Sequence, residues 1–131
     1  MASAWETISS DRRREPRHQV RLRASVSAAE RETEEGLRVT VLAHTRDLSK
    51  EGLCLVMPSS HLGSHSLNEE GRAVLIVLVL PTGDSVNLEG RLAYCTPLKG
   101  DEPAAGCLAG VEITRLAPED RAAYHDFIDS L

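Results

Sequence analysis

Apolar and polar residues alternate along the first half of the chain. From Val20 to Ala28 every even-numbered residue is apolar, and the odd-numbered residues from Gln19 on are polar. Successive side chains of a strand point to opposite faces, so this pattern predicts a half-buried strand over residues 18–28. The alternation resumes at Leu37 and predicts a second strand that runs toward Asp47. The acidic residues 30–36 between them predict a solvent-exposed hairpin connection.

The remaining pattern predicts four more strands and one helix. A short apolar run follows Gly52, the apolar run Ala73–Leu80 is typical of a central strand, and alternation returns before Tyr94 and after Gly106. Pro118 and the two acids after it suit the first turn of a helix. Its apolar face would contain Tyr124, Phe127, Ile128 and Leu131. We therefore predict an all-β fold with a C-terminal helix, in which about six antiparallel strands form a small β-barrel.

Length and composition fit one small domain. The 131 residues are 41% hydrophobic but only 3% aromatic, so the core must consist mainly of aliphatic side chains. Residues 1–17 lack periodicity and predict a flexible N-terminal arm, which is followed by the barrel over residues 18–131. The first residues show no signal-peptide pattern, so we expect none, and the longest apolar run is too short to span a bilayer. We expect a cytoplasmic protein without a membrane partner.

Positive charge is concentrated near the N-terminus. The chain has a net charge of -5, yet the segment Asp11–Arg23 contains six arginines and two acids. A nucleic-acid-binding domain would be more widely basic, whereas a local arginine patch suits a small anion. Arg13 and Arg17 have the spacing R-x-x-x-R. A solvated basic arm that only aids solubility would have the same composition, so the arginines alone leave both interpretations open.

A second motif, D-x-S-x-x-G, lies at residues 47–52 between two predicted strands. Asp47 and Ser49 can bond to the local backbone, and Gly52 can adopt a positive φ or admit a ligand closely. Asp47 can also accept from the ring N–H and amino group of a guanine, and Ser49 can donate to a phosphate. An ordinary β-turn would use the same residues, so this motif is also ambiguous by itself.

The two motifs in this order, one before the first strand and one after the second, resemble the PilZ domain family. The close of the chain is also similar, because Gly110-Val111-Glu112-Ile113 precedes the helix, with Ile where the family often has Phe. The resemblance covers residues 12–131 and implies a PilZ-like barrel. It also implies a bacterial receptor for the second messenger cyclic di-GMP, a nucleotide with two guanines and two phosphates.

This resemblance implies a set of ligand-binding residues. Arg13 and Arg17 would bind guanine and phosphate, because a guanidinium group can pair with either in bidentate fashion. Asp47 and Ser49 would bind the second face of the nucleotide, and Gly52 would hold the turn. Further candidates are Arg12 and Arg14 beside the motif, Tyr94 as a ring that stacks on guanine, and Gly110. In the family, an arginine directly before R-x-x-x-R accompanies an intercalated ligand dimer, so Arg12 implies two cyclic di-GMP molecules per chain.

The predicted function is a cyclic di-GMP receptor or adaptor. Its arm would change conformation on ligand binding and signal to a protein effector, and the chain would be a monomer or homodimer. One alternative is a PilZ-like protein-interaction adaptor that binds no nucleotide. Another is a nucleic-acid binder that places the arginine arm on phosphates, although the acidic body of the chain makes a nucleic-acid partner unexpected.

No sequence pattern indicates an enzyme or a metal site. The chain has no nucleophile elbow, Walker loop or dinucleotide-binding fingerprint. His61 and His65 are four residues apart in a Ser- and Gly-rich loop, and no further ligands complete a set. Three cysteines without tight spacing predict neither a disulfide framework nor a zinc site, and Cys54 and Cys107 are expected to be buried thiols. We expect no catalysis, metal or cofactor.

Overall fold

The structure of the chain, a computed structural model, describes residues 16–29, 39–59, 61–62, 65–66, 71–98 and 106–131. Within these ranges, six antiparallel strands form a closed barrel. The barrel strands are β1 (Arg23–Ala28), β2 (Thr40–Leu48), β3 (Gly52–Met57), β6 (Ala73–Val79), β7 (Ser85–Pro97) and β8 (Cys107–Leu116). Their order around the barrel is β1-β2-β3-β8-β7-β6. A separate hairpin consists of β4 (His61–Leu62) and β5 (His65–Ser66), and the helix α1 (Pro118–Asp129) follows β8. The predicted six-stranded barrel with a C-terminal helix is confirmed.

The barrel interior is filled by the apolar positions of the alternating pattern. Each barrel strand places every second side chain inside, where aliphatic residues dominate. Burial of one such side chain stabilises the fold by roughly 1.5–3 kcal/mol. The largest fully buried side chains include Leu48, Leu53, Leu55, Ile76, Leu78 and Leu92, and Tyr124 is the aromatic residue among them. The pattern of apolar residues therefore determines which face of each strand points inward.

The first strand begins later than the alternation predicts. β1 starts at Arg23, and just before it the side chain of Thr45 takes part in the hydrogen bonding between the segments. Thr45 Oγ1 accepts from the N–H of Leu22 at 2.8 Å and donates to the carbonyl oxygen of Val20 at 2.5 Å. Further back, His18 and Leu48 exchange backbone hydrogen bonds of 2.9 and 3.0 Å. The segment 16–22 is thus held alongside the end of β2 without being part of a regular strand.

The helix α1 packs on the turn between β2 and β3. Tyr124 is fully buried, and its hydroxyl donates to the carbonyl oxygen of Ser49 at 2.6 Å. A second link is the ion pair between Lys50 Nζ and Asp129 Oδ1, at 2.8 Å. The predicted apolar face of the helix ends at Ile128, since Leu131 lies beyond the helix and is 48% exposed. The helix therefore fixes the turn that carries the D-x-S-x-x-G motif.

Gly90 lies at a point where β7 and β8 approach each other closely. A Cβ atom on Gly90 would lie 2.9 Å from the carbonyl oxygen of Glu112, and the register of β7 and β8 shifts next to it. A side chain at this position would push the two strands apart.

Within the described ranges no helix is both long and apolar enough to cross a membrane.

We expect Tyr124→Phe to lower the free energy of unfolding by about 1–2 kcal/mol, because it leaves the buried carbonyl of Ser49 without its donor. Urea denaturation measures this change. The matched control is Asp129→Asn, which breaks the more exposed link to the same turn and should stay within about 0.5 kcal/mol of wild type. Equal losses in the two variants would contradict the role assigned to the tyrosine hydroxyl.

Candidate functional site

Four neighbouring barrel strands align a row of four residues on the outer face of the barrel wall. The strand registers pair Asp47 with Cys54, Cys54 with Gly110, and Gly110 with Tyr94. Directly paired residues lie on one face of a sheet. The neighbours of Cys54 along the strand, Leu53 and Leu55, belong to the core, so Cys54 and its partners face outward. We call Asp47, Cys54, Gly110 and Tyr94 the outer row.

Asp47 binds two arginines at one end of the outer row. Arg17 Nη1 forms a close ion pair with Asp47 Oδ1, and Arg46 Nε donates to Asp47 Oδ2 at 3.2 Å. The Asp47 and Arg17 side chains are only 9% and 15% exposed, whereas Arg46 is 52% exposed. The structure thus brings the second arginine of R-x-x-x-R onto the aspartate of D-x-S-x-x-G. The other predicted arginines, Arg12, Arg13 and Arg14, lie outside the described residues.

A β-bulge places Asp47 on the outer surface. The pairing of β2 with β3 shifts between Thr45 and Asp47, so that Arg46 is an extra residue. Without the shift, Asp47 would point to the same side as Thr45, whose partner Leu55 is in the core. Arg46 was missed in the sequence analysis. One signal in the sequence could have revealed it. Strict alternation would point the Asp47 carboxylate into the apolar core, and a bulge just before Asp47 is what turns it outward.

Ser49 and Gly52 form the turn after β2. Ser49 is buried, and its Oγ accepts from the N–H groups of Glu51 at 3.2 Å and Gly52 at 3.3 Å. The backbone N–H of Ser49 also donates to the carbonyl oxygen of Gly52, at 2.8 Å. The predicted local bonding by Ser49 is confirmed. Of the two alternatives for Gly52, a positive φ is not found, because this residue already belongs to β3 and pairs with Glu112, and the positive-φ glycines of the described ranges are Gly71, Gly83 and Gly106. Close approach of a ligand to Gly52 stays a prediction.

Tyr94 lies flat across Gly110 at the other end of the outer row. A Cβ atom on Gly110 would lie 2.5 Å from Tyr94 Cζ and 2.6 Å from Cδ2, so the ring occupies the space that a side chain would need. The Tyr94 hydroxyl reaches Cys54 and donates to its Sγ at 3.7 Å. A second register shift, between Leu92 and Tyr94, turns the ring outward, whereas an unbroken strand would point Tyr94 to the same inward side as Leu92.

The outer row is neutral at its centre and charged at one end. Burial, and then the hydrogen bond to Cys54, raises the pKa of Tyr94 to about 12. Burial also raises the pKa of the Cys54 thiol, although the hydrogen bond from Tyr94 opposes this. Both groups therefore keep their protons at neutral pH, and the charge is carried by Asp47, Arg17 and Arg46. The arrangement can present arginine donors and a carboxylate acceptor beside an aromatic ring.

A separate groove lies on another part of the barrel surface. It has a volume of about 680 Å³, and its lining includes Ser25, Asn87, Glu89, Arg115 and Asp120 from β1, β7, β8 and α1. Among the described residues predicted to bind ligand, none lines this groove. In the described part of the chain, no three His, Cys, Asp or Glu side chains are grouped as metal ligands.

Comparison with known proteins gives one family and several similar structures. The model of the PilZ domain family matches residues 11–130. The PilZ domain of YcgR from Escherichia coli, solved with c-di-GMP, has a TM-score of 0.65 and 14% identity, and the match covers 92% of both chains. No curated protein sequence matches significantly.

Two other solved structures are longer than this chain. MrkH from K. pneumonia in its apo state has a TM-score of 0.66 and 16% identity, over 92% of this chain and 50% of that one. MotI/DgrA, the inhibitor of motility of Bacillus subtilis, has a TM-score of 0.62 and 16% identity, with the same coverage. The chain thus spans about half the length of MrkH and MotI, and at these identities the likeness concerns the fold.

We expect Gly110→Ala to lower the free energy of unfolding by about 1–3 kcal/mol, because the added methyl group displaces the Tyr94 ring. Urea denaturation of a double-mutant cycle with Tyr94→Ala tests the cause. In the Tyr94→Ala background, Gly110→Ala should lower the free energy of unfolding by clearly less than it does in wild type. An unchanged cost in the Tyr94→Ala background would show that the ring is not what the glycine accommodates.

We also expect the stability of the protein to fall as the pH rises from about 10 to about 12. The folded state holds the Tyr94 proton more tightly than the unfolded chain does, and this difference contributes to the free energy of unfolding. The contribution is complete below pH 10 and is lost as the pH rises through the pKa of Tyr94 in the folded state. Urea denaturation across this range should show a shallower decline for Tyr94→Phe. Some decline should persist, because burial also raises the pKa of Tyr124. An equally steep loss of stability with pH in wild type and Tyr94→Phe would contradict the raised pKa of Tyr94.

Proposed function

Because the chain belongs to the PilZ domain family, we propose that it is a receptor for cyclic di-GMP and binds this nucleotide over the charged end of the outer row. The observation that carries the proposal is the ion pair between Arg17 and Asp47. It joins one residue from each of the two motifs on the outer surface, although they are 30 positions apart in the chain. YcgR and MrkH, which share the fold, have been solved with c-di-GMP.

The chemistry of this end suits a guanine nucleotide. A guanidinium fork can pair with guanine O6 and N7 or with two phosphate oxygens, and a carboxylate can accept from the guanine N–H groups. Arg17 and Asp47 are mostly buried, so hydrogen bonds to a ligand here face less competition from water. Arg46 is more exposed and adds a second positive charge beside them. In this proposal the ligand exchanges part of the Arg17–Asp47 contact for its own.

The remaining candidates have different roles in the proposed site. Ser49 uses its hydroxyl to hold the turn, so it supports Asp47 and has little left to offer a phosphate. Tyr94 would stack on a guanine with the ring face that points away from Gly110. Gly110 then contributes by admitting the ring, and not through a contact of its own.

The N-terminal arm supplies the other arginines. His18 is bonded to Leu48, so the base of the arm is held beside β2. Arg13 is four residues before Arg17, and an extended chain covers about 3.3–3.6 Å per residue, so its backbone can lie within about 14 Å of Arg17. We propose that the arm closes over the ligand with Arg12, Arg13 and Arg14 and so presents a new surface to a protein effector.

Titration calorimetry with cyclic di-GMP tests the proposal, with GTP and cyclic mono-GMP as competing ligands. We expect Arg13→Ala, Arg17→Ala and Asp47→Ala each to weaken binding about 10- to 100-fold, because each removes a charge-assisted hydrogen bond worth about 1.5–3 kcal/mol. The matched control is Arg115→Ala, which removes an arginine from the separate groove and should bind like wild type. Circular dichroism confirms that each variant is folded.

Stoichiometry and salt dependence separate the alternatives. We expect two cyclic di-GMP molecules per chain, and one for Arg12→Ala. Wild-type binding that all three site variants retain would place the ligand elsewhere. A folded wild type that binds no cyclic di-GMP would favour the adaptor that works through protein contacts alone. Equal binding of DNA with a steep loss of affinity in salt would favour the nucleic-acid binder.

A further inference from the structure

Two of the three cysteines are in contact on neighbouring strands. Cys95 on β7 and Cys107 on β8 are free thiols whose sulfur atoms are 3.0 Å apart and hydrogen-bonded. The register pairs Cys95 with Ala109 and Pro97 with Cys107, so the two thiols are diagonal neighbours on the inward face. Cys107 is buried, as its apolar surroundings in the sequence predicted, but its separation of 12 residues from Cys95 gave no sign of this contact.

We propose that Cys95 and Cys107 form a modification site, at which a peroxide converts the dithiol into a reversible intramolecular disulfide. The bond requires the sulfur atoms to approach from 3.0 Å to about 2.05 Å, and no other atom stands between two sulfurs at that distance. Cys54 is not a competing partner. It faces the other side of the barrel wall, where it is fully buried and hydrogen-bonded to Tyr94.

The surroundings of the two thiols assign them different roles. Cys95 is half-buried, so an oxidant can reach it, whereas Cys107 is fully buried behind it. The hydrogen bond with Cys107 lowers the pKa of Cys95, against the opposing effect of burial. The same hydrogen bond, together with burial, raises the pKa of Cys107. Since the thiolate is the nucleophile, Cys95 reacts first and Cys107 resolves the product.

The reaction balances with hydrogen peroxide as the two-electron oxidant. The Cys95 thiolate attacks one peroxide oxygen, the O–O bond breaks, and the departing hydroxide takes up a proton to become water. Cys95 is now a sulfenic acid. The Cys107 sulfur attacks the Cys95 sulfur, the S–O bond breaks, and the hydroxyl group leaves as a second water with the Cys107 proton. The two thiols lose two electrons, and one peroxide is reduced to two waters.

Thiol counting on the reduced full-length chain tests this site. After treatment with a slight excess of hydrogen peroxide, the titratable thiols of the denatured protein should fall from three to one, and dithiothreitol should restore all three. A non-reducing peptide map should link the peptide of Cys95 to that of Cys107. The Cys54→Ser variant is the matched control and should fall from two thiols to none. Oxidation should also raise the melting temperature, because the link closes a loop of the unfolded chain.

Several outcomes would overturn the site. They are three thiols after oxidation, a map that links Cys54, a link between two chains, or sulfinic acid at Cys95 without a disulfide. Cys95→Ser should abolish the link and is better suited than a change at Cys107, which lies in the core. The map of the wild-type protein decides the question even if a variant fails to fold. The proposal does not depend on nucleotide binding.

Discussion

The contact between Arg17 and Asp47 organises the candidate site. Two opposite charges with little exposure to water each need the other, because removing one partner leaves a charge that is poorly solvated. The pair ties the base of the N-terminal arm to the end of β2, where His18 and Leu48 add two backbone hydrogen bonds. A ligand that offers acceptors to the arginine and donors to the aspartate can replace these contacts without leaving either charge unpaired.

Two β-bulges give the outer row its chemistry. A regular strand repeats every two residues, so an extra residue moves everything after it to the opposite face. The extra residue at Arg46 turns Asp47 outward, and the shift before Tyr94 does the same for the ring. The polar groups gather on the outside of the barrel, while the aliphatic core stays intact beneath them. Gly110 completes the arrangement by leaving room for the ring.

The two faces of the barrel wall carry different chemistry. Outside, the turn at Ser49 is fastened to α1 by Tyr124, so the carboxylate and its turn form the rigid part of the site, and the arm is the part proposed to move. Inside, at the junction of β7 with β8, Cys95 directly follows Tyr94 in the chain but faces the opposite way, toward Cys107. One strand thus serves a proposed nucleotide site with one residue and a proposed thiol switch with the next.

The sequence by itself determined the barrel strands, the C-terminal helix and the two motifs that resemble the family, because alternation and turn residues act over a few neighbouring positions. Only the tertiary structure decided that β1 starts late, beside the Thr45 side chain, and that a bulge at Arg46 turns Asp47 outward. It alone decided that Gly52 lies in a strand without a positive φ, and that Cys95 contacts Cys107. Each of these depends on a partner on another strand, and a chain read in order does not show which distant residues share hydrogen bonds or register.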